Sequence, residues 1–205
     1  MGRRAVSLAI AAGLSAAGFA IAAETATQAR RADAARLMNE LMSGKGVGGE
    51  FTLSDAKGRA VRLADFRGKL VLLYFGFTTC PDVCPTDLLA IARAIQSLGK
   101  DGDAIQPIFI TLDPERDTRE VIGPYAASFH PRFVALTGTA SEVGDVARAY
   151  KVFFEKVAVP GSITYTIDHA AFTFLLDTGG KYVGMFPPGT PWTRIATILR
   201  DEIGK

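Results

Sequence analysis

The chain has 205 residues, 48% of them hydrophobic and 21% charged, with a net charge of +2. That composition is ordinary for a globular protein with one sizeable core, and the small charge gives no case for a nucleic-acid partner. Two cysteines in so long a chain do not make a disulfide scaffold, so reactive or metal-binding thiols are the better reading.

Met1, Gly2, Arg3 and Arg4 form a short basic start, followed by an uncharged run over residues 5–23 rich in Ala, Gly and Ser. A membrane span needs about 20 apolar residues. This run reads either as an uncleaved anchor or as a cleaved export signal, with Ala20, Ile21 and Ala22 as a small-residue cleavage pattern. Residues 1–23 are thus expected to be a signal peptide or membrane anchor whose basic flank stays in the cytoplasm. The rest of the chain then lies on the periplasmic side of a bacterial inner membrane, anchored there or soluble in the periplasm after cleavage.

Residues 24–49 are expected as a stalk or linker. Leu37, Met38, Leu41 and Met42 fall at helical spacing, and the glycine-rich run over residues 44–49 ends that helix. Met38 and Met42 are soft enough to ligate copper, although an apolar edge on a short helix explains them more simply.

The folded domain is expected over residues 50–205. Phe51 to Leu53 and Val61 to Leu63 alternate as strands around the turn signal Asp55, Ala56, Lys57, Gly58, which predicts a hairpin. Leu70 to Phe75 is an apolar run suited to a buried strand. Leu88, Ile91, Ala92, Ile95 and Leu98 share one helix face, and Gly99 stops that helix. Residues 105–112 make a second buried strand. Asp117 and Glu120 read as a capping box opening a helix that Gly123 and Pro124 should kink or split. Residues 132–136 read as a short strand, and Thr139 with Glu142 as a second capping box. Residues 152–159 and 163–167 are candidate strands about a Pro160-Gly161 turn, and residues 171–176 and 182–186 a β-hairpin. Thr190 as cap and Pro191 as first helical residue open the last helix. Alternating β and α units with a closing hairpin imply an α/β fold: a central mixed sheet flanked by helices, with an N-terminal hairpin. A cysteine pair leaving the first central strand into the first long helix of the domain is the thioredoxin-like arrangement.

Both cysteines, Cys80 and Cys84, lie in Phe75-Gly76-Phe77-Thr78-Thr79-Cys80-Pro81-Asp82-Val83-Cys84-Pro85. At a helix N-terminus the unpartnered N–H groups favour a thiolate. Three residues separate the pair, not the two of a redox C-x-x-C motif. Helical geometry would put both sulfurs on one face, whereas Pro85 biases Cys84 toward a loop. A structural staple is disfavoured, because so short a loop constrains the unfolded chain little. Thiolates select Cu(I), zinc or iron–sulfur clusters. Of the two histidines, His130 sits in a helix-to-strand turn and reads as a surface or capping residue. His169 precedes a predicted central strand that begins close to the cysteines. Two thiols and that imidazole suit Cu(I) and, with added ligands, Cu(II), while structural zinc wants four protein ligands.

Tyr74 through Pro85, Thr111-Leu112-Asp113-Pro114-Glu115-Arg116-Asp117-Thr118, and Asp168-His169 together resemble the Sco/SenC family, membrane-tethered thioredoxin-fold copper proteins that help assemble cytochrome c oxidase. The resemblance runs from about Gly48 to the C-terminus. It implies copper ligands at Cys80, Cys84 and His169, with Asp168 in a supporting role. It also implies copper delivery to the binuclear centre of oxidase subunit II, or reduction of that centre's cysteines. Other periplasmic copper chaperones or thiol reductants would then be further partners. Asp113 to Thr118 reads first as turn and capping chemistry, with partner docking as the alternative.

Metal transfer leads, and thiol–disulfide oxidoreductase activity of the Cys80/Cys84 pair is the alternative. The three-residue spacer and the missing cis-proline argue against a general oxidoreductase. A thiol peroxidase fits least. Leu73 and Phe77 stand where peroxiredoxins carry Pro and Thr, and Trp192, in the last helix, is the only tryptophan.

Overall fold

The computed structural model describes residues 6–162 and 164–204. The basic start over residues 1–4 and Ile163, expected to begin a strand, lie outside the described residues. The chain divides into two compact units, Met1–Ser43 and Gly44–Lys205. The first carries one helix, α1 (Val6–Ser43), which runs unbroken through the point where a leader and a stalk were expected to meet. Among the described residues no helix is long and apolar enough to cross a membrane. Met38 and Met42 are both exposed.

The second unit is built on a seven-stranded mixed sheet. Its strands in chain order are β1 (Thr52–Asp55), β2 (Ala60–Arg62), β3 (Leu70–Gly76), β4 (Ile105–Thr111), β5 (Val134–Thr137), β8 (Thr173–Leu176) and β9 (Tyr182–Phe186). Across the sheet they lie in the order β2-β1-β5-β4-β3-β8-β9. The three middle strands β5, β4 and β3 are parallel, and β1 and β8 flank them antiparallel. Continuous apolar runs make the middle strands because both faces of the sheet are covered: every residue of β3 and of β4 is buried.

The alternation of β3 sorts the core into two. Leu70, Leu72 and Tyr74 face a cluster with Leu88, Ile91 and Ile95 of α2 (Val83–Ser97), Ile122 and Ala126 of α3 (Arg119–Phe129), and Ile195 and Leu199 of α5 (Trp192–Ile203). Phe75 faces the other way, into an aromatic group with Phe174 and with Tyr150, which ends α4 (Ala140–Ala149). Those ring centroids are 5.5 to 5.9 Å apart.

The hairpin at the start and the two buried strands follow the sequence. So does the capping box of α4, in which the Thr139 N–H donates to Glu142 Oε2 at 2.7 Å and the Glu142 N–H to Thr139 Oγ1 at 3.2 Å. Three expectations are corrected. Helix α3 is continuous through Pro124. Pro124 forgoes one bond, to the carbonyl of Glu120, and both residues are exposed, so water can take that carbonyl. The α3 cap is Thr118; Asp117 is fully buried and bonded elsewhere, as described below. At α5 the cap residue is Pro191, while Thr190 Oγ1 donates to the Pro187 carbonyl at 2.6 Å. The two candidate strands about the Pro160-Gly161 turn form as β6 (Phe154–Ala158) and β7 (Tyr165–His169), which pair with each other as an antiparallel ribbon separate from the main sheet.

Candidate metal and thiol site

β3 ends at Gly76, and the loop over residues 77–82 carries the chain into α2. Cys80 is half-buried in that loop, and Cys84 is the second residue of α2 with no exposed surface. Pro85 therefore does not pull Cys84 out of the helix. It is the third residue of α2, where an N–H would have had no helical partner. Both cysteines are free thiols.

Cys84 packs against the end of the strand it follows. A Cβ on Gly76 would come within 2.9 Å of Cys84 Sγ, 3.0 Å of the Tyr74 ring and 3.3 Å of the Phe109 ring. Gly76 is thus required for the sulfur to sit where it does. Below it, the buried Asp87 carboxylate accepts from the Gly189 N–H at 2.8 Å and the Tyr74 hydroxyl at 3.4 Å. Burial pushes the Asp87 carboxyl above its ordinary range, against those two hydrogen bonds.

The two thiols are electrostatically unlike. The hydrogen bond from Cys84 brings Cys80 down to about 5 despite partial burial, helped by the N–H groups of Asp82 and Cys84 and by His169. Cys84 is driven the opposite way, first because its S–H donates a hydrogen bond to Cys80 and then by burial. A thiolate at a helix N-terminus beside a protonated thiol is the result.

The strand β8 runs beside β3, with Thr173 opposite Tyr74. His169, the last residue of β7, thereby arrives at the cysteine end of the sheet. Its Nε2 lies 3.9 Å from Cys84 Sγ, and its Nδ1 lies 3.3 Å from the Ile167 carbonyl. A proton on Nδ1 satisfies that carbonyl and leaves the Nε2 lone pair facing the sulfur. Phe77 meets the imidazole edge-on, with centroids 5.7 Å apart. Asp168, for which the resemblance implied a supporting role, is exposed, and the group beside His169 Nδ1 is the carbonyl of Ile167. His130 is buried, so the surface reading fails, while the capping reading holds: it is the C-cap residue of α3, and its Nδ1 accepts the Arg132 N–H at 3.2 Å.

Among the described residues, no three His, Cys, Asp or Glu side chains are gathered closely enough to hold a metal as placed. There are instead two contacts sharing Cys84, one to Cys80 and one to His169. The donor chemistry nonetheless fits a soft ion. Ligand bonds of about 2.3 Å to sulfur and about 2.0 Å to nitrogen separate two such atoms around one ion by roughly 3.5–3.8 Å, close to the 3.9 Å between Cys84 and His169.

Three groups that sequence reasoning missed frame this site. Asp117 accepts from the Thr78 N–H at 2.9 Å, from the Thr78 hydroxyl and from the Thr111 hydroxyl at 2.6 Å. Asp113, fully buried, accepts from Arg116 and from the Tyr165 hydroxyl at 2.8 Å. Gly76 makes room for the buried thiol. The sequence signal available for the first two was an acid-rich segment directly after a strand end.

Residues 39–204 match the family model SCO1/SenC. The chain is 43% identical over 157 residues to an SCO2-like protein of Rickettsia prowazekii, covering 76% of this chain and 77% of that one. The copper-bound structure of ScoI from Bradyrhizobium japonicum superposes with a TM-score of 0.70 at 38% identity, over 76% of this chain and 99% of that one. BsSco, described as a member of the Sco family of cytochrome c oxidase assembly proteins, shares the fold at 22% identity and a TM-score of 0.59, over 76% of this chain and 92% of that one.

Proposed function

The chain belongs to the SCO1/SenC family, and from that premise we propose that it is a copper metallochaperone for cytochrome c oxidase assembly. Cys80, Cys84 and His169 hold one copper as cargo and release it to the binuclear copper centre of oxidase subunit II. The observation that carries this reading is the approach of His169 Nε2 to Cys84 Sγ at the end of β3, where a soft thiol and an imidazole face one another. Copper bound to the Bradyrhizobium relative supports the choice of cargo. The two thiols suit Cu(I), and the imidazole extends the set toward Cu(II). The uncharged run over residues 5–23 supports export, which sets the domain on the periplasmic side of the inner membrane, where other copper chaperones or thiol reductants load or reduce it.

The reduced full-length protein should bind one equivalent of copper, with sulfur and nitrogen ligation by X-ray absorption and, for Cu(II), by electron paramagnetic resonance. His169→Ala should weaken Cu(II) at least tenfold while changing Cu(I) little. Cu(II) binding indifferent to that change would remove His169 from the ligand set.

The asymmetry of the thiols favours a second reading, reduction of the oxidase cysteines. The Cys80 thiolate attacks a target disulfide, forming a mixed disulfide and releasing one target thiolate, which takes up a proton. Cys84 then gives up its proton and attacks Cys80 Sγ, which frees the second target thiol. The target gains two electrons, and the chain is left with a Cys80–Cys84 disulfide. Mixing reduced, copper-free protein with disulfide-form subunit II fragment and counting thiols on both partners tests this; no transfer of oxidising equivalents leaves only metal delivery.

A further inference from the structure

The Asp113–Thr118 segment connects to both halves of the site, although it contributes no ligand to the set proposed above. On one side Asp117 takes three hydrogen bonds, two of them from Thr78, two residues before Cys80. On the other side the segment grips the ribbon that ends in His169. Tyr165 gives its hydroxyl to Asp113 at 2.8 Å and its carbonyl accepts Arg116 Nη1 at 2.8 Å. The Arg116 guanidinium also lies 3.8 Å from the Tyr165 ring centroid and donates its Nε–H to Asp113. Lys156, on the paired strand, reaches Glu115 at 2.6 Å and sits 4.7 Å from the same ring.

Apart from that grip, Ile167 is the one buried residue of the ribbon's two strands. Among the described residues the ribbon pairs with no other strand, and four of the five residues of β6 are exposed. A two-stranded ribbon is marginal on its own in water. A fully buried carboxylate bonded to a guanidinium and a phenol is a stronger tie than an exposed ion pair, provided its partners stay in place.

We propose that the Asp113–Thr118 segment is a bracket that sets the separation between the cysteine loop and His169, with Asp117 fixing the first and the Asp113–Arg116–Tyr165 cluster fixing the second. Arg116 and Tyr165 are positioning residues in this arrangement. The inference deepens the metal-site reading and rests on it for its functional weight.

Two variants of the full chain test it, Tyr165→Phe, which removes one hydroxyl, and Arg116→Gln, which removes the ring contact and both guanidinium bonds. The first readout needs no copper: the His169 ring protons, shifted by the neighbouring Phe77 ring, are followed by nuclear magnetic resonance. The second is affinity for Cu(II) against Cu(I), with a thermal melt confirming that the sheet is folded. Arg116→Gln should move the His169 signals toward free-histidine values and weaken Cu(II) about tenfold, with Cu(I) within twofold; Tyr165→Phe should do the same more weakly. His169 signals unmoved in both variants overturn the bracket. Signals that move without any loss of Cu(II) affinity overturn its role in the metal site. Should the unaltered protein take up no copper, the functional reading fails instead, and the ring shifts alone decide the bracket. Should Arg116→Gln fail to fold, Tyr165→Phe decides.

Discussion

At the scale of single residues, the site works by giving two identical side chains opposite environments. Cys80 is held to about 5 while its neighbour stays protonated. Alkylation by iodoacetamide should therefore modify Cys80 alone, at a rate flat above about pH 6 that falls to half near pH 5 as the thiolate is protonated, well below an ordinary thiol. Mass spectrometry of the labelled peptide checks both the site and the midpoint. Gly76→Ala should crowd Cys84, Tyr74 and Phe109 together and lower stability by roughly 1–3 kcal/mol, the usual range for an overpacked core. A urea melt measures it, and copper affinity should fall with it because the displaced sulfur is the one facing His169. The cysteine pair and His169 were legible in the sequence because thiols and imidazole are rare and chemically distinctive. Asp117 was misread as a helix cap. An acid three residues before a glutamate looks the same locally whether it caps a helix or binds a hydroxyl brought from Thr78, far away in the chain. Only the fold distinguishes them.

At the scale of elements, local pattern and tertiary context divide the outcome. The capping box of α4 is wholly local, and it forms as written. Thr139→Ala should cost about 1 kcal/mol of stability, read from chemical denaturation, because a first-turn N–H loses its acceptor. The turn between α3 and β5 depends instead on burial. His130 accepts the Arg132 N–H at Nδ1, which needs an unprotonated nitrogen, and burial, with Arg132 adding, holds its pKa below the ordinary value. The unfolded chain then takes up that proton more readily. The stabilisation is complete above about pH 6.5 and is lost as pH falls from there through the lower folded-state value. His130→Gln should flatten this part of the stability profile, measured as denaturation midpoints between about pH 7 and pH 5; an unchanged slope assigns the loss to other groups. The continuity of α3 past Pro124 and the separation of β6 and β7 from the main sheet were not legible. Both depend on what faces solvent, which no run of residues specifies. The exposed residues of β6 alternate poorly, and without a second buried face a strand has no reason to enter the sheet.

At the scale of the whole domain, the mixed sheet separates two cores with different tasks. The apolar runs of β3 and β4 made its centre legible, and the thioredoxin-like order of strands and helices follows from them. The opposite face, where Phe75, Tyr150 and Phe174 meet, lies outside the core cluster that holds Cys84 with Cys80 packed against it. Phe174→Ala should cost roughly 3–5 kcal/mol as a cavity opens there. In conditions where the variant remains folded, its copper affinity should match the parent's; calorimetry for stability and a competition titration for copper separate the two. The buried position of Cys84 has a further consequence, for traffic. One sulfur of the pair is partly open to visitors, and the other is walled in by α2, Gly76 and the imidazole. A partner arriving at this end of the molecule meets Cys80 before Cys84, so a cargo held as proposed above would be handed over in sequence, the outer sulfur letting go first and the inner one last. A cargo held that way would be shielded from passing small thiols and would leave for a receiver whose own ligands can follow it inward.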